Sequence, residues 1–275
     1  QGADDSRNDI VVRGNSPSGV LWRVEGVDLP NPNHFAIPGT GGGPVAIVNN
    51  KTLANSDFFT AAFPAEFGNS TAAVFDLRLR NGNQDQWHGS AQLGFLGTEV
   101  LAEGPLNREK RSSLLVNYRY STAVIFSALG IDIGTDAVPK YQDGSFKLHM
   151  PTSGGGAFSL WGMGGNSNVD ILISEQLRPE RNIYGDNDRD QYFKSAMGIV
   201  GATYTKPVNE RTYVKTTLAL SQDRQDSYHE FVTRDLTVQD GDTLFTNVNT
   251  EPLMAYVFDK RRVSLASHAN RKLEV

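Results

Sequence analysis

The sequence predicts an almost entirely β protein whose later part is an up-and-down series of antiparallel strands. Apolar and polar residues alternate from about residue 70, as in the segment STAAVFDLRLRNGN, which ends at the turn signal Asn81-Gly82. The 27 glycines and the 23 Phe and Tyr residues, without clear helical periodicity, also favour strands and tight turns. Connector lengths, described below, are the third observation.

Period-two alternation identifies the strands that follow residue 84. We expect about seven of them, connected in an up-and-down manner. Their segments are GFLGTEVLAEGPL, SSLLVNYRYST, GSFKLHMPT, GGGAFSLWGMGG, DQYFKSAMGIVGATYTK, RTYVKTTLALSQD and KRRVSLASHANRKLEV.

Short and long connectors alternate along this series. The short ones are 105–107, 151–154 and 206–209, and the long ones are 122–140, 165–190 and 223–258. Short turns at one end and long loops at the other are the layout of an outer-membrane β-barrel. Because bacterial barrels need an even number of strands and no open edge, seven strands predict a barrel that is incomplete in this chain.

Composition excludes several classes of protein. The net charge of −5 argues against a nucleic-acid partner, whose binding domain would normally be basic. The absence of cysteine excludes disulfides, Cys-ligated zinc and thiol catalysis. No run of 18 apolar residues and no signal peptide is present, so we expect a processed chain or a piece of a longer one.

The sequence contains no motif for covalent catalysis or for a cofactor. The five histidines lack metal-ligand spacing, no G-x-S-x-G pattern occurs, and GTGGGP (39–44) is not followed by the Lys-Ser/Thr of a phosphate loop. Asp186, Asp188 and Asp190 have the one-three-five spacing of a calcium loop. Gln191 and Met197 stand where such a loop needs Gly and Glu, so we expect a solvated acidic loop instead, no cofactor and no enzyme activity.

Several segments together resemble TonB-dependent outer-membrane receptors, most closely the Bacteroidetes type. These are IVVRG (10–14), VLWRVEGVDLPNP (20–32), FPAEFGNSTAAVFDLRLR (63–80) and the strands GFLGTEVLAEGPL, LLVNYRYST and FSLWGMGG. The resemblance implies that residues 1–83 are the later part of a plug domain, a small mixed sheet whose N-terminal portion and TonB box are missing. Residues 84–275 would then be the first seven or so strands of a transmembrane β-barrel.

The resemblance also implies a function and partners. The receptor would import a scarce nutrient across the outer membrane of a Gram-negative bacterium, with the plug gating the pore. Its partners would be a TonB-type inner-membrane energy coupler, reached through a segment not in this chain, and outer-membrane lipids. A surface lipoprotein lid and a small nutrient, oligosaccharide or peptide ligand complete the expected set.

Candidate site residues follow from the same resemblance. Arg13 and Glu25 are the expected electrostatic contacts of the plug, although the family's late-plug Arg-Gly-Pro has no counterpart in TAAFP (60–64). Gly14, Gly26 and Gly68 are expected to set tight turns. The possible substrate-side loop residues are Asn31, Asn33, His34 and Phe35, for which rigid loop packing is the alternative.

Two other classes of protein compete with the importer. A barrel of the same fold could act as a structural, secretion or surface-anchoring component and bind no small ligand. A soluble β-sandwich binding module would require the last strand to be paired within the 275 residues. Substrate identity and oligomeric state lie beyond what the sequence indicates.

Overall fold

The structure is a computed structural model that describes residues 10–36, 43, 45–94, 97–122, 139–179, 186–239 and 242–272. Within these ranges the regular structure consists of β-strands and of short 3-10 helices at Pro17–Gly19, Asn50–Thr52 and Ile173–Glu175. The expectation of an almost entirely β protein is therefore confirmed.

The first part of the chain forms a small mixed sheet and a two-stranded ribbon. In the sheet, strand order is β2-β1-β6-β5, with β1 and β6 parallel and the other pairs antiparallel. The ribbon pairs β3 with β4. The bounds are β1 Val20–Val24, β2 Val27–Asp28, β3 Asn33–His34, β4 Val45–Ala46, β5 Asp57–Phe59 and β6 Ala73–Leu77.

The rest of the chain forms one antiparallel sheet in which each strand pairs with its neighbour in sequence. It contains eight strands in the consecutive order β7 to β14. Their bounds are β7 His88–Leu93, β8 Gly97–Asn107, β9 Ser112–Ser121, β10 Lys140–Pro151, β11 Ala157–Ile171, β12 Arg189–Asn209, β13 Thr212–Gln239 and β14 Asp242–Arg271.

The structure describes eight strands in this sheet where about seven were expected, and the additional strand is β7, which lacks an apolar face. Its sequence HGSAQL is polar and small, and all six residues are exposed. The expected long loop at 223–258 was wrong: residues 223–239 and 242–258 belong to β13 and β14, which pair almost throughout. Inward-facing residues there are polar, as in Asp223, Gln225 and Ser227, so the period of two carried no apolar signal.

The connectors at one end of the large sheet are all short, whereas those at the other end vary in length. Short turns join β8 to β9, β10 to β11 and β12 to β13. At the other end the chain runs for 17 residues between β11 and β12, from Leu172 to Asp188. The expected loop at 122–140 lies mostly outside the described residues, and β13 and β14 extend far beyond their neighbours.

The small sheet packs against one face of the large sheet. Val24, Val27, Leu29, Ile47 and Leu79 come from the first part of the chain. Their partners in the same buried cluster come from β11, β12 and β13 and are Trp161, Met163, Met197, Ile199 and Ala219. Burying these side chains, each worth roughly 1.5–3 kcal/mol when fully buried, joins the two sheets.

Candidate functional site at the contact between the two sheets

The large sheet has an exposed apolar face, whereas its other face is buried and carries most of its polar side chains together with the apolar cluster given above. On the face toward the small sheet, Ser113 is 0 % and Thr217 is 2 % exposed. On the opposite face, Val263 is 71 % and Leu265 is 73 % exposed. A water-soluble sheet normally has the reverse arrangement. We call these the inner face and the outer face.

The outer face carries a continuous apolar belt that is visible in the strand register. Directly paired residues form one row across β9 to β14, consisting of Val116, Phe146, Gly162, Val200, Leu220 and Val263. The next row consists of Leu114, Leu148, Leu160, Ala202, Leu218 and Leu265. Strand spacing and rise give this belt an area of roughly 500 Å², the upper end of what soluble monomers expose.

The tip of the β1–β2 hairpin makes a buried ionic contact with the large sheet. Its Glu25 carboxylate accepts hydrogen bonds from Lys147 Nζ at 2.7 Å and from Lys215 Nζ at 3.1 Å. Thr217 Oγ1 donates to the Glu25 carbonyl at 3.1 Å. The Leu79 amide donates to the same carboxylate at 3.1 Å, and its carbonyl accepts from Lys147 Nζ.

The ionised form of Glu25 is held by its two lysines. Burial acts to raise the pKa of Glu25, but the charges of Lys147 and then Lys215 outweigh burial and lower it. The glutamate also stands in the left-handed region, with φ of 51°, beside Gly26 with φ of 91°. A glutamate is uncommon there, so the hairpin keeps an unfavourable conformer at the residue that contacts the inner face.

A second contact centres on Asp143 of β10. His34 Nε2 lies 3.0 Å from Asp143 Oδ2, and Arg119 Nη2 donates to the same oxygen at 2.7 Å. Arg119 also donates to the carbonyl of Ala46, and the Phe35 amide donates to Ser167 Oγ at 3.1 Å. Burial lowers the pKa of His34 in spite of Asp143, so His34 is neutral near pH 7.

Further ion pairs join the first part of the chain to the inner face near its edges. Arg80 forms a bidentate pair with Glu103, with distances of 2.5 and 3.0 Å. Lys51 lies 2.7 Å from Glu99, and Arg262 lies 3.2 Å from Asp28. Charged side chains on the inner face thus hold the small sheet at several points.

The structure separates the two residues expected to make the plug's electrostatic contact. Glu25 lies in the contact just described, whereas Arg13 is exposed and makes no ion pair within the described residues. Arg13 and Gly14 have φ of 52° and 78°, and the Asn15 amide donates to the Val12 carbonyl, which forms a tight turn. Gly26 has the same role at the hairpin, but Gly68 does not have a positive φ.

The four expected substrate-side residues are placed against the large sheet. Asn31, Asn33 and His34 are buried and Phe35 is half-buried. The Asn31 side chain accepts from the Asn33 amide at 2.9 Å, and His34 and Phe35 make the contacts to β10 and β11 given above. This placement favours rigid packing over an accessible loop. The adjoining GTGGGP segment lies mostly outside the described residues.

The three aspartates of the candidate calcium loop do not converge. Asp190 accepts from the amide and hydroxyl of Ser174, while Asp186 and Asp188 both face Arg189. Among the residues that the structure describes, no three His, Asp or Glu side chains are grouped to hold a metal ion. No helix in those same ranges is long and apolar enough to cross a membrane.

Sequence reasoning did not identify the inner-face partners of Glu25 and His34. Lys147, Arg119 and Asp143 stand on the polar side of period-two strands, which was the available signal. A charged residue on the polar side of a strand is predicted to be exposed to solvent, unless the strand belongs to a sheet whose apolar face is outward. Glu25 and Lys147 are separated by 122 residues, so no local sequence pattern indicates that they pair.

Comparison with known proteins adds two solved structures. No family model and no curated protein matches the chain. The outer membrane transporter YddB from Escherichia coli is 10% identical over 96% of this chain and 48% of its own, with a TM-score of 0.36. The ferric enterobactin receptor PfeA, in complex with BCV-L6, is 11% identical over 96% of this chain and 49% of its own, with a TM-score of 0.39.

The chain therefore spans about half the length of these two transport proteins. Both are outer-membrane transporters or receptors and neither is an enzyme. At this identity and TM-score the likeness carries no argument about activity. The function is argued from the geometry of the two faces of the large sheet.

Proposed function

We propose that this chain is part of a TonB-dependent outer-membrane transporter of the Bacteroidetes type. Residues 84–275 would supply membrane-spanning strands, and residues 1–83 would be the plug inside the barrel. The observation that carries the proposal is the reversed polarity of the large sheet, since an apolar outer belt and a polar inner face are what a transmembrane β-barrel requires.

The dimensions of the belt support a membrane position. Each of β9 to β12 has four or five successive outward residues between polar ends, which at a period of two is a stretch of roughly 7–9 residues, close to what a tilted membrane strand needs. The row above the belt turns polar, with Gln142, Asn166, Arg224 and Asp259 on the outer face. Aromatic side chains such as Tyr118, Phe158 and Tyr204 flank it, in the positions of an interfacial girdle.

The contact between the sheets supports a gating role for the plug. The small sheet is held by a few discrete ionic contacts around Glu25, Asp143 and Glu103, together with one apolar cluster. Contacts of this kind can be released as a unit when force is applied by an inner-membrane energy coupler. The imported ligand would be a scarce nutrient, oligosaccharide or peptide, with a surface lipoprotein lid as a further partner.

Membrane position is tested by fractionating the envelope of cells that make the complete protein. We expect a band in the outer-membrane fraction that changes mobility on boiling and is two to three times larger than this chain, as a roughly 22-stranded barrel requires. A soluble band of this chain's own size, unchanged by boiling, would contradict the proposal and leave an all-β binding domain.

Gating is tested separately by the conductance of the complete protein in a planar bilayer. The wild-type protein should be closed, and Glu25→Gln should increase openings because it weakens the hairpin's hold on Lys147 and Lys215. A large, constant conductance in both proteins would sink the gating role. A complex with secretion components and no ligand-dependent uptake would indicate the structural alternative.

A further inference from the structure

The outer face of the large sheet contains an apolar groove in addition to the belt. Its floor is the row of directly paired residues Gly144, Gly164 and Gly198 on β10, β11 and β12. Tyr118 bounds the row at one end and Gln222 at the other. The groove has a volume of about 800 Å³, and a smaller depression of about 470 Å³ continues it over the same three glycines.

Larger apolar side chains form the side of the groove nearest the centre of the belt. Phe146, Val200 and Leu220 belong to the adjacent row and line it. At Gly198, a Cβ atom would meet no other atom within 4 Å, so the space above it is open. The floor and this side of the groove belong to the face that the proposed function assigns to the membrane. A ligand for the groove is therefore inferred on the basis of that function.

The polar end of the groove carries two arginines. Arg261 is paired with Gln222 in the glycine row, and Arg224 lies one row above. Each guanidinium faces an aspartate of its own strand: Arg224 lies 3.1 Å from Asp226, and Arg261 lies 3.3 Å from Asp259. The side chains of Arg224 and Arg261 are 49 % and 74 % exposed, and exposed ion pairs of this kind are weak.

We propose that this groove binds one phosphate-bearing membrane lipid. An acyl chain would lie on the glycine floor against Phe146, Val200 and Leu220, and the phosphate would be held by Arg224 and Arg261. Glycines allow the acyl chain to approach the backbone, and guanidinium groups bind phosphate in a bidentate manner. The boundary between apolar belt and polar row places the phosphate at the membrane surface.

The test reconstitutes the complete protein in phosphatidylcholine vesicles that contain phosphatidylglycerol, followed by detergent exchange and assay of retained lipid. Gly198→Phe fills the groove without displacing sheet atoms, and should reduce retained phosphatidylglycerol about tenfold. Ala202→Phe is the matched control, since it lies on the same face of β12 but two rows away, and should retain the wild-type amount.

Charge recognition is tested with the double variant Arg224→Gln/Arg261→Gln. It should remove the preference for phosphatidylglycerol over phosphatidylcholine, while Lys194→Gln, on the same polar end of β12, should keep it. Equal retention by the wild type, Gly198→Phe and Ala202→Phe overturns the proposal. Displacement of the lipid by inorganic phosphate alone also overturns the proposal, because the acyl chain would then contribute nothing to binding.

The two proposals fail in different ways in this experiment. A protein that inserts into the vesicles and shifts on boiling, yet retains no lipid, contradicts the groove proposal and leaves the transporter intact. A protein that does not insert contradicts the transporter proposal itself. Insertion is read from protection against added protease before lipid is assayed.

Discussion

The contacts at Glu25 and at Asp143 hold the same small sheet by opposite distributions of charge. At Glu25 the first part of the chain supplies the acid, and the large sheet supplies two bases, Lys147 and Lys215. At Asp143 the large sheet supplies both the acid and the base, Arg119, and the first part of the chain adds a neutral histidine. The first contact therefore depends on attachment for its charge balance, whereas the second retains its ion pair when the small sheet leaves.

This difference predicts which contact dominates attachment. Detaching the hairpin leaves Lys147 and Lys215 without a carboxylate, and it leaves the buried Glu25 to be solvated. Detaching His34 leaves Arg119 and Asp143 paired. Substitutions at Glu25 and at Asp143 should separate these two cases.

Glu25→Gln should weaken attachment of the small sheet by about 3 kcal/mol, because it removes the carboxylate charge that pairs with two largely buried lysines. Limited proteolysis of the complete protein measures this as faster cleavage between residues 10 and 80. Glu66→Gln is the matched control, since Glu66 is half-exposed and its contacts to Arg23 and His268 are long. Equal cleavage of both variants would contradict the assignment of Glu25.

Asp143→Asn should cost about 2 kcal/mol, a smaller loss, because Arg119 keeps its bond to the Ala46 carbonyl and is partly solvated. The same proteolysis assay applies, with Asp259→Asn, an exposed outer-face aspartate, as the control. A double-mutant cycle with His34→Gln measures the coupling between the two residues. Additive effects would show that His34 and Asp143 act independently.

Gly26→Ala should destabilise the β1–β2 hairpin by about 1 kcal/mol, because alanine is strained at φ of 91°. Gly68→Ala is the control. A Cβ atom at Gly68 would meet nothing within 4 Å, and its φ is not in the left-handed region. Thermal unfolding of the two variants should differ in midpoint, and identical midpoints would contradict the turn assignment.

Acidification should weaken attachment in two steps, of which the first is the smallest change we expect. The folded pKa of His34 is lowered, so stability is present above its ordinary value of 6.5 and falls as pH drops below it. The folded pKa of Glu25 is also lowered, so its contribution is lost only below its ordinary value of 4.5. His34→Gln should remove the upper step of a pH-dependent proteolysis profile and leave the lower one.

The comparison also shows what sequence could and could not predict. Period-two alternation in 112–121 and 140–151 predicted strands and the division of their residues between two faces. It did not indicate that Lys147 and Asp143 face a buried contact, because their partners are remote in sequence. The resemblance to plug domains identified Glu25 and Arg13 together. Only the structure showed that Glu25 lies at a buried hairpin tip and Arg13 in an exposed turn.

The failure to predict β7 and the prediction of a loop at 223–258 have the same physical cause. In β7 and in the distal parts of β13 and β14, neither face is covered by an apolar surface, so the sequence has no hydrophobic periodicity there. Side-chain contacts between the distal parts of β13 and β14 are mostly polar, as between Thr237 and Thr246 and between Asn247 and Asp235, so these strands are defined mainly by backbone pairing.

The reversed polarity of the large sheet places a parity constraint on how this gene can change. In β10 to β13 neighbouring residues lie on opposite faces of the sheet, so inserting or deleting one codon within a strand would exchange every outer-face and inner-face side chain beyond it. Length changes inside these strands are compatible with the fold only in pairs. Between strands, the 17 residues joining β11 to β12 carry no such restriction, and variation in length is expected to accumulate there.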